Sequence, residues 1–128
     1  MFDSQILIAK STSYSVYSPW MSRGGDYLQA TLNIVAIGGS PTLTVEVFTK
    51  NSEDSGDGEN SGSQSISGTA VGVSSATWRS GTGGGGTANA TLEELVRYRF
   101  TISSSSAGDW VAFRMLAPVW FDAVQITS

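Results

Sequence analysis

From residue 94 to 102 the chain alternates strictly, with Val96, Tyr98, Phe100 and Ile102 on one side and Leu95, Arg97, Arg99 and Thr101 on the other. Successive side chains of a strand point to opposite faces, so this period predicts a strand with one buried face and a basic outer face. A small polar turn follows at 103–108. The alternation then resumes, with Val111, Phe113 and Met115 opposed to Trp110, Ala112, Arg114 and Leu116. Pro118 interrupts the ladder, and a last strand is predicted over 119–127. The C-terminal third thus reads as three successive strands closing a β-sandwich.

The upstream chain repeats the pattern. Over 27–37, Leu28, Ala30, Leu32, Ile34 and Ala36 share a face; over 42–50, Leu43, Val45 and Val47 point inward and Thr42, Thr44, Glu46 and Phe48 outward. The β-branched residues at 31, 34, 35 and 37 favour a strand over a helix, and the Gly-Gly-Ser-Pro turn at 38–41 predicts that the two strands pair as an antiparallel hairpin. Residues 5–10 form a short apolar run suited to a buried strand. Tyr14, Val16 and Ser18 alternate with Ser15 and Tyr17 until Pro19 stops them. A weaker strand is predicted over 64–73 and a short one over 75–80, centred on Trp78 and Arg79. Residues 88–95 are a candidate for one helical turn, with Thr91 as N-cap and Glu94 as its box partner. Eight or nine short strands with Gly and Pro turns predict one all-β domain over 1–128, a jelly-roll-like two-sheet antiparallel β-sandwich.

Composition narrows the chemistry. The 128 residues suffice for one sandwich core and not two. Charged residues are only 14%, and the net charge of -4 disfavours generic binding to a phosphate backbone, so nucleic acid is not an expected partner. With no cysteine and no histidine, thiolate nucleophiles, imidazole bases and the usual transition-metal clusters cannot be built from this chain alone. No apolar run approaches the ~18 residues of a membrane span, and the start of the chain lacks the basic region of a signal peptide. The expectation is a protein made in the cytosol, with no membrane partner, no cofactor and no enzymatic activity.

Four local features invite a site reading. The acidic loop 53–59, with Glu53, Asp54, Asp57 and Glu59 among Ser and Gly, offers oxygen ligands but departs from the EF-hand order and reads first as a solvated loop. The Gly run at 81–86 lacks the Gly-Lys-Ser/Thr and helix of a phosphate cradle, and Asn89-Ala90-Thr91 is a glycosylation sequon in spelling only. The set of tryptophans and arginines carries more. Both residue types anchor interfaces, Trp through large area at low entropy cost and Arg through its planar fork of donors. Arg97 and Arg99 stand together on an outer face, where substitution is expected to weaken partner binding and spare the fold. Exposed aromatic platforms also bind sugars, which keeps a carbohydrate- or receptor-binding module open as the alternative.

The runs 27–35 (YLQATLNIV), 41–51 (PTLTVEVFTKN), 97–102 (RYRFTI) and 110–121 (WVAFRMLAPVWF) resemble small virion accessory proteins of tailed bacteriophages, in particular capsid decoration or cement proteins and related head-associated β-sandwiches. The likeness lies in texture and strand order across most of the domain. It implies a structural role: a protein on the outer surface of a capsid, bound to the major capsid protein, often trimeric at local threefold positions, assembled in the host cytoplasm and stabilising the shell against internal pressure. A ligand of the assembled lattice stabilises it by mass action. Residue type and strand face select Trp78, Arg79, Arg97, Arg99 and Arg114 as contact candidates, with Trp20 and Phe2 as further anchors.

Overall fold

The computed structural model describes residues 5–10, 14–61, 65–79 and 92–121. Among them are eleven strands and no helix: β1 (Gln5–Lys10), β2 (Tyr14–Tyr17), β3 (Met21–Ser22), β4 (Tyr27–Gly38), β5 (Thr42–Lys50), β6 (Glu59–Asn60), β7 (Ile66–Gly68), β8 (Gly72–Arg79), β9 (Leu95–Ser103), β10 (Ala107–Met115) and β11 (Val119–Phe121). They form two antiparallel sheets. One, the β4 sheet, runs β1, β10, β4, β8, with β11 continuing β10 along the same edge of β4. The other, the β9 sheet, runs β2, β9, β5 and then β6 with β7, and β3 continues β2 along β9.

Eleven segments fill eight strand positions, because β2 and β3, β6 and β7, and β10 and β11 each share one. Numbered along the chain, the positions lie 1-8-3-6 in one sheet and 2-7-4-5 in the other, which is the strand order of a jelly roll. The interruptions have local causes. Pro19 has no N–H to offer β9, and just before it the pairing is closed by a side chain: the Ser18 N–H donates to the Tyr98 carbonyl, and the Ser18 hydroxyl, in place of a backbone carbonyl, accepts from the Tyr98 N–H at 2.8 Å. Ahead of Pro118, the Leu116 N–H donates to the Thr31 carbonyl at 3.0 Å and keeps β11 in line with β10.

The expected hairpin of 27–37 with 42–50 does not form. β4 and β5 lie in different sheets, because both edges of β4 are taken by β10, β11 and β8, and both edges of β5 by β9, β6 and β7. The turn at 39–41 therefore arches from one layer to the other, with Gly39 at φ +82°. The Asp109 carboxylate pins this arch, accepting from the Ser40 N–H at 3.3 Å and from the Ser104 hydroxyl.

The face of β4 also departs from plain alternation. Phe113 pairs with Ile34, but Ala112 pairs with Ala36, so one residue of β4 is extra. This bulge at Val35 sends Ala36 outward with Ala112 and turns Ile37 inward beside Val111. Similarly, the boundary expected near residue 74 falls at 69–71, and β8 starts at Gly72.

Between the sheets, Leu28, Leu32, Ile34, Val111, Phe113 and Met115 meet Leu43, Val45, Val47, Val96, Phe100 and Ile102, all essentially without exposure. Phe100 and Phe113 touch across the layers with ring centroids 4.9 Å apart. Each such fully buried side chain contributes roughly 1.5–3 kcal/mol of transfer free energy. Inner-face burial on β9 and β10 follows the alternation read from the sequence.

Candidate interaction surface

Each sheet of a two-layer sandwich has one inner and one outer face, and the two outer faces of this protein are built differently. On the β9 sheet, β9 presents Arg97 and Arg99, β5 presents Glu46 and Phe48, and β2 presents Tyr17, with Tyr17 paired to Arg99 and Glu46 to Arg99 in register. These side chains consume one another. The Arg97 guanidinium lies 4.0 Å from the Tyr17 ring centroid and 4.3 Å from that of Trp20, and Lys50 stands 5.0 Å from Trp20. Tyr17 meets Phe48 edge-on at 5.6 Å, and the Arg99 guanidinium lies 4.7 Å from Phe48.

Charge is also satisfied within this layer. Arg99 donates to Glu46 Oε1 through Nε at 3.1 Å and Nη2 at 2.5 Å, and Glu46 Oε2 accepts from Asn60 at 2.6 Å. Burial alone would lower the Arg99 pKa, but hydrogen bonds to Glu46 and Tyr17 outweigh it and hold the guanidinium above its ordinary value. Arg97 donates to the Asp57 carbonyl at 3.0 Å and lies 3.5 Å from its carboxylate.

The acidic loop is therefore folded over this layer. Lys50 donates to the carbonyls of Asp54 and Gly56, and Asn51 and Asp54 close a turn between them. Gly58, at φ +79°, lies where a Cβ would come 2.7 Å from the Trp20 ring and 2.8 Å from the Thr49 carbonyl. A recess of 480 Å³ is lined by Lys50, Asp54, Asp57, Glu59 and Glu93 among others. Among the described residues no three acidic side chains converge as metal ligands.

The β4 sheet is the opposite case. On its outer face Ile6 and Ile8 of β1, Val35 at the bulge, and Val71 and Val73 at β8 are each at least half exposed. Register places them on one surface: Ile6 opposite Ala112, Ile8 opposite Trp110, Val73 opposite Asn33. Together they expose on the order of 500 Å² of surface, within the roughly 300–600 Å² of the largest apolar patch on a monomer, which is often a functional one. Leu116, Val119 and Phe121 extend the apolar line along β10 and β11. A recess of 430 Å³ at its centre is lined by Asn33, Ile34, Val35, Val71 and Arg114. Arg114 is exposed there and makes no hydrogen bond or ion pair among the described residues.

The seven contact candidates fall into separate classes. Trp78 is a correction: it pairs with Leu28 on the inner face of β8 and is fully buried, because its position in β8 has the parity of the core. Arg97 and Arg99 do point outward but are engaged by the layer beneath them, and Trp20 is half buried against Arg97. Among the candidates whose side chains are described, only Arg114 is exposed without a hydrogen bond or ion pair. Arg79 ends β8 opposite Tyr27, its side chain lying outside the described residues, as do Phe2, the Gly run at 81–86 and the proposed cap at Thr91.

The aliphatic face escaped the sequence reading, although its signal was present. Gln5 to Lys10 has apolar residues at both parities, which normally marks a strand covered on both faces. In a two-layer sandwich only one of those faces is covered by the fold.

The fold and surface define a class: a jelly-roll sandwich with one outer face whose charged and aromatic groups are paired with one another and the other with exposed aliphatic side chains. No protein-family model, curated protein or solved structure matches the chain.

Proposed function

We propose that the protein is a structural subunit of a large particle, a decoration or cement protein that seats the outer face of its β4 sheet on a capsid lattice. One observation carries the reading: the aliphatic surface around Arg114 is exposed in the single chain, while on the opposite sheet the arginines and their carboxylate and aromatic neighbours are paired with one another. An apolar patch of this kind costs roughly 25 cal/mol per Å² while it faces water, and a partner surface removes that penalty. The resemblance to capsid decoration proteins supplies the partner, the major capsid protein, and the location on the outside of the shell. Many identical copies on a lattice make a modest contact sufficient.

The carbohydrate-binding alternative needs an aromatic platform with a free face. Trp78 is in the core, Trp20 is stacked under Arg97, the Trp110 ring lies against Gly38, and Trp120 lies against Gly24. Those four rings are engaged; of the exposed aromatics, Tyr17 carries Arg97 and Phe121 stacks on Tyr27, which leaves Tyr14 rather than a platform of several rings for a glycan.

The test begins with gradient sedimentation of a source lysate, followed by peptide mass spectrometry for this chain in each fraction. Many copies in fast, DNA-filled particles are expected, and purified Val73→Lys should fail to rebind stripped particles that the wild type rebinds. Recovery confined to slow fractions overturns the proposal.

A further inference from the structure

The charges of this chain are divided unevenly between its two sheets. Acidic residues outnumber basic ones by eleven to seven over the whole chain, yet the strands of the β4 sheet reverse the balance. β1, β4, β8 and β11 contain no Asp or Glu, and β10 contains only Asp109, whose carboxylate is held by Ser40 and Ser104 at the interlayer arch. The same strands contain Lys10, Arg79 and Arg114. Arg114 stands within the aliphatic face. Register sets it opposite Asn33 of β4, and Asn33 opposite Val73 of β8, so the three form one row across the sheet. Val35 and Val71 close the recess of 430 Å³ that Asn33, Ile34 and Arg114 also line.

A hydrated guanidinium costs little at such a place while the face is open. Once an apolar surface closes over it, the charge loses its water, and burying it without a partner opposes association. A docking surface that is apolar throughout is therefore disfavoured at this point, and a basic one is repelled. We propose that the surface docking here presents an Asp or Glu side chain set among apolar residues, which enters the recess and accepts two parallel N–H bonds from Arg114, with the Asn33 amide beside it as a further donor. This deepens the capsid reading and rests on it: the acceptor belongs to the major capsid protein. The aliphatic rim supplies the buried area, and the one charge pair fixes where on that rim the partner sits.

The experiment is rebinding of the purified full chain to stripped particles at low and at high salt. Wild-type affinity is expected to fall as salt rises. Arg114→Leu keeps an apolar side chain and removes the charge; it should bind at least tenfold more weakly at low salt and lose most of the salt dependence, while Arg114→Lys should keep part of both. Because Arg114 is exposed, the three melting temperatures should coincide. Amidating the carboxylates of the stripped particles with a carbodiimide and glycinamide tests the partner directly. Wild-type binding should fall to the level of Arg114→Leu on untreated particles, and Arg114→Leu should lose nothing more. Equal affinity and salt dependence of wild type and Arg114→Leu, or amidation that weakens both alike, overturns the carboxylate, and with Val73→Lys still failing to bind it leaves the docking face standing. Failure of the wild type to rebind overturns the lattice reading and this proposal with it.

Discussion

The two outer faces of this sandwich carry similar numbers of large side chains and differ in whether those side chains find partners inside the chain. On the β9 sheet, cations lie on aromatic rings and arginines meet carboxylates, so that Arg97, Arg99, Tyr17 and Phe48 form a third layer over the sheet. On the β4 sheet, aliphatic side chains of β1, β4 and β8 stand in solvent around the exposed Arg114. Surface area and residue type alone would have ranked the faces the other way, since Trp and Arg are the usual interface anchors. Availability decides instead: an arginine stacked on two rings and bonded to a loop has little left for a partner.

That contrast can be broken most directly by charge reversal on the covered face. Arg97→Glu with Arg99→Glu removes the stacks and places carboxylates beside Glu46 and Asp57. The sequence pattern predicts an intact fold; the structure instead predicts a loss of roughly 2–4 kcal/mol, discounted for partial exposure, measured by urea denaturation. Unchanged stability would mean that this layer is as uncommitted as the opposite face.

A smaller effect is expected at Gly38, whose position against the Trp110 ring leaves no room for a Cβ. Gly38→Ala should cost about 1–3 kcal/mol by displacing that ring, visible as a lowered melting temperature. A neutral result would show that Trp110 moves freely and belongs to the open surface.

Tyr98 tests the interior between the faces. Its hydroxyl is buried with no hydrogen bond among the described residues, and burial pushes its pKa well above the usual value of 10.0. Because the folded pKa is raised, the associated stability is full below pH 10 and declines above it, as the unfolded chain ionises first. Tyr98→Phe should be neutral or stabilising by up to about 1 kcal/mol and should flatten the alkaline decline. A steep decline that persists in Tyr98→Phe would assign it to another group.

The smallest stability change is expected on the open face. Ile8→Ser and Arg114→Ala should each shift the unfolding free energy by no more than about 0.5 kcal/mol. Rebinding to particles should nevertheless fall at least tenfold. A variant that loses stability but keeps binding would reverse the roles of the two faces.

Much of the fold was legible because strand alternation is a local property. Val96, Tyr98, Phe100 and Ile102 went inward as read, and so did Val111, Phe113 and Met115. Trp78 was misread because its strand was placed too short to show its parity, and Ala36 because a bulge adds one residue that only the partner strand reveals. The hairpin failed for a related reason: a four-residue turn between two alternating strands serves a hairpin and an interlayer arch equally well.

The sequence by itself determined the class of the protein, since period-two burial, turn residues and the absence of helical stretches are written residue by residue. Tertiary structure decided which strands are neighbours, and through them which arginines are spent and which apolar side chains are left over. Those outcomes depend on register between segments far apart in the chain, as Arg99 with Glu46 or Ile6 with Ala112. No local pattern carries that register, because each strand is equally well satisfied by several partners until the whole sandwich closes.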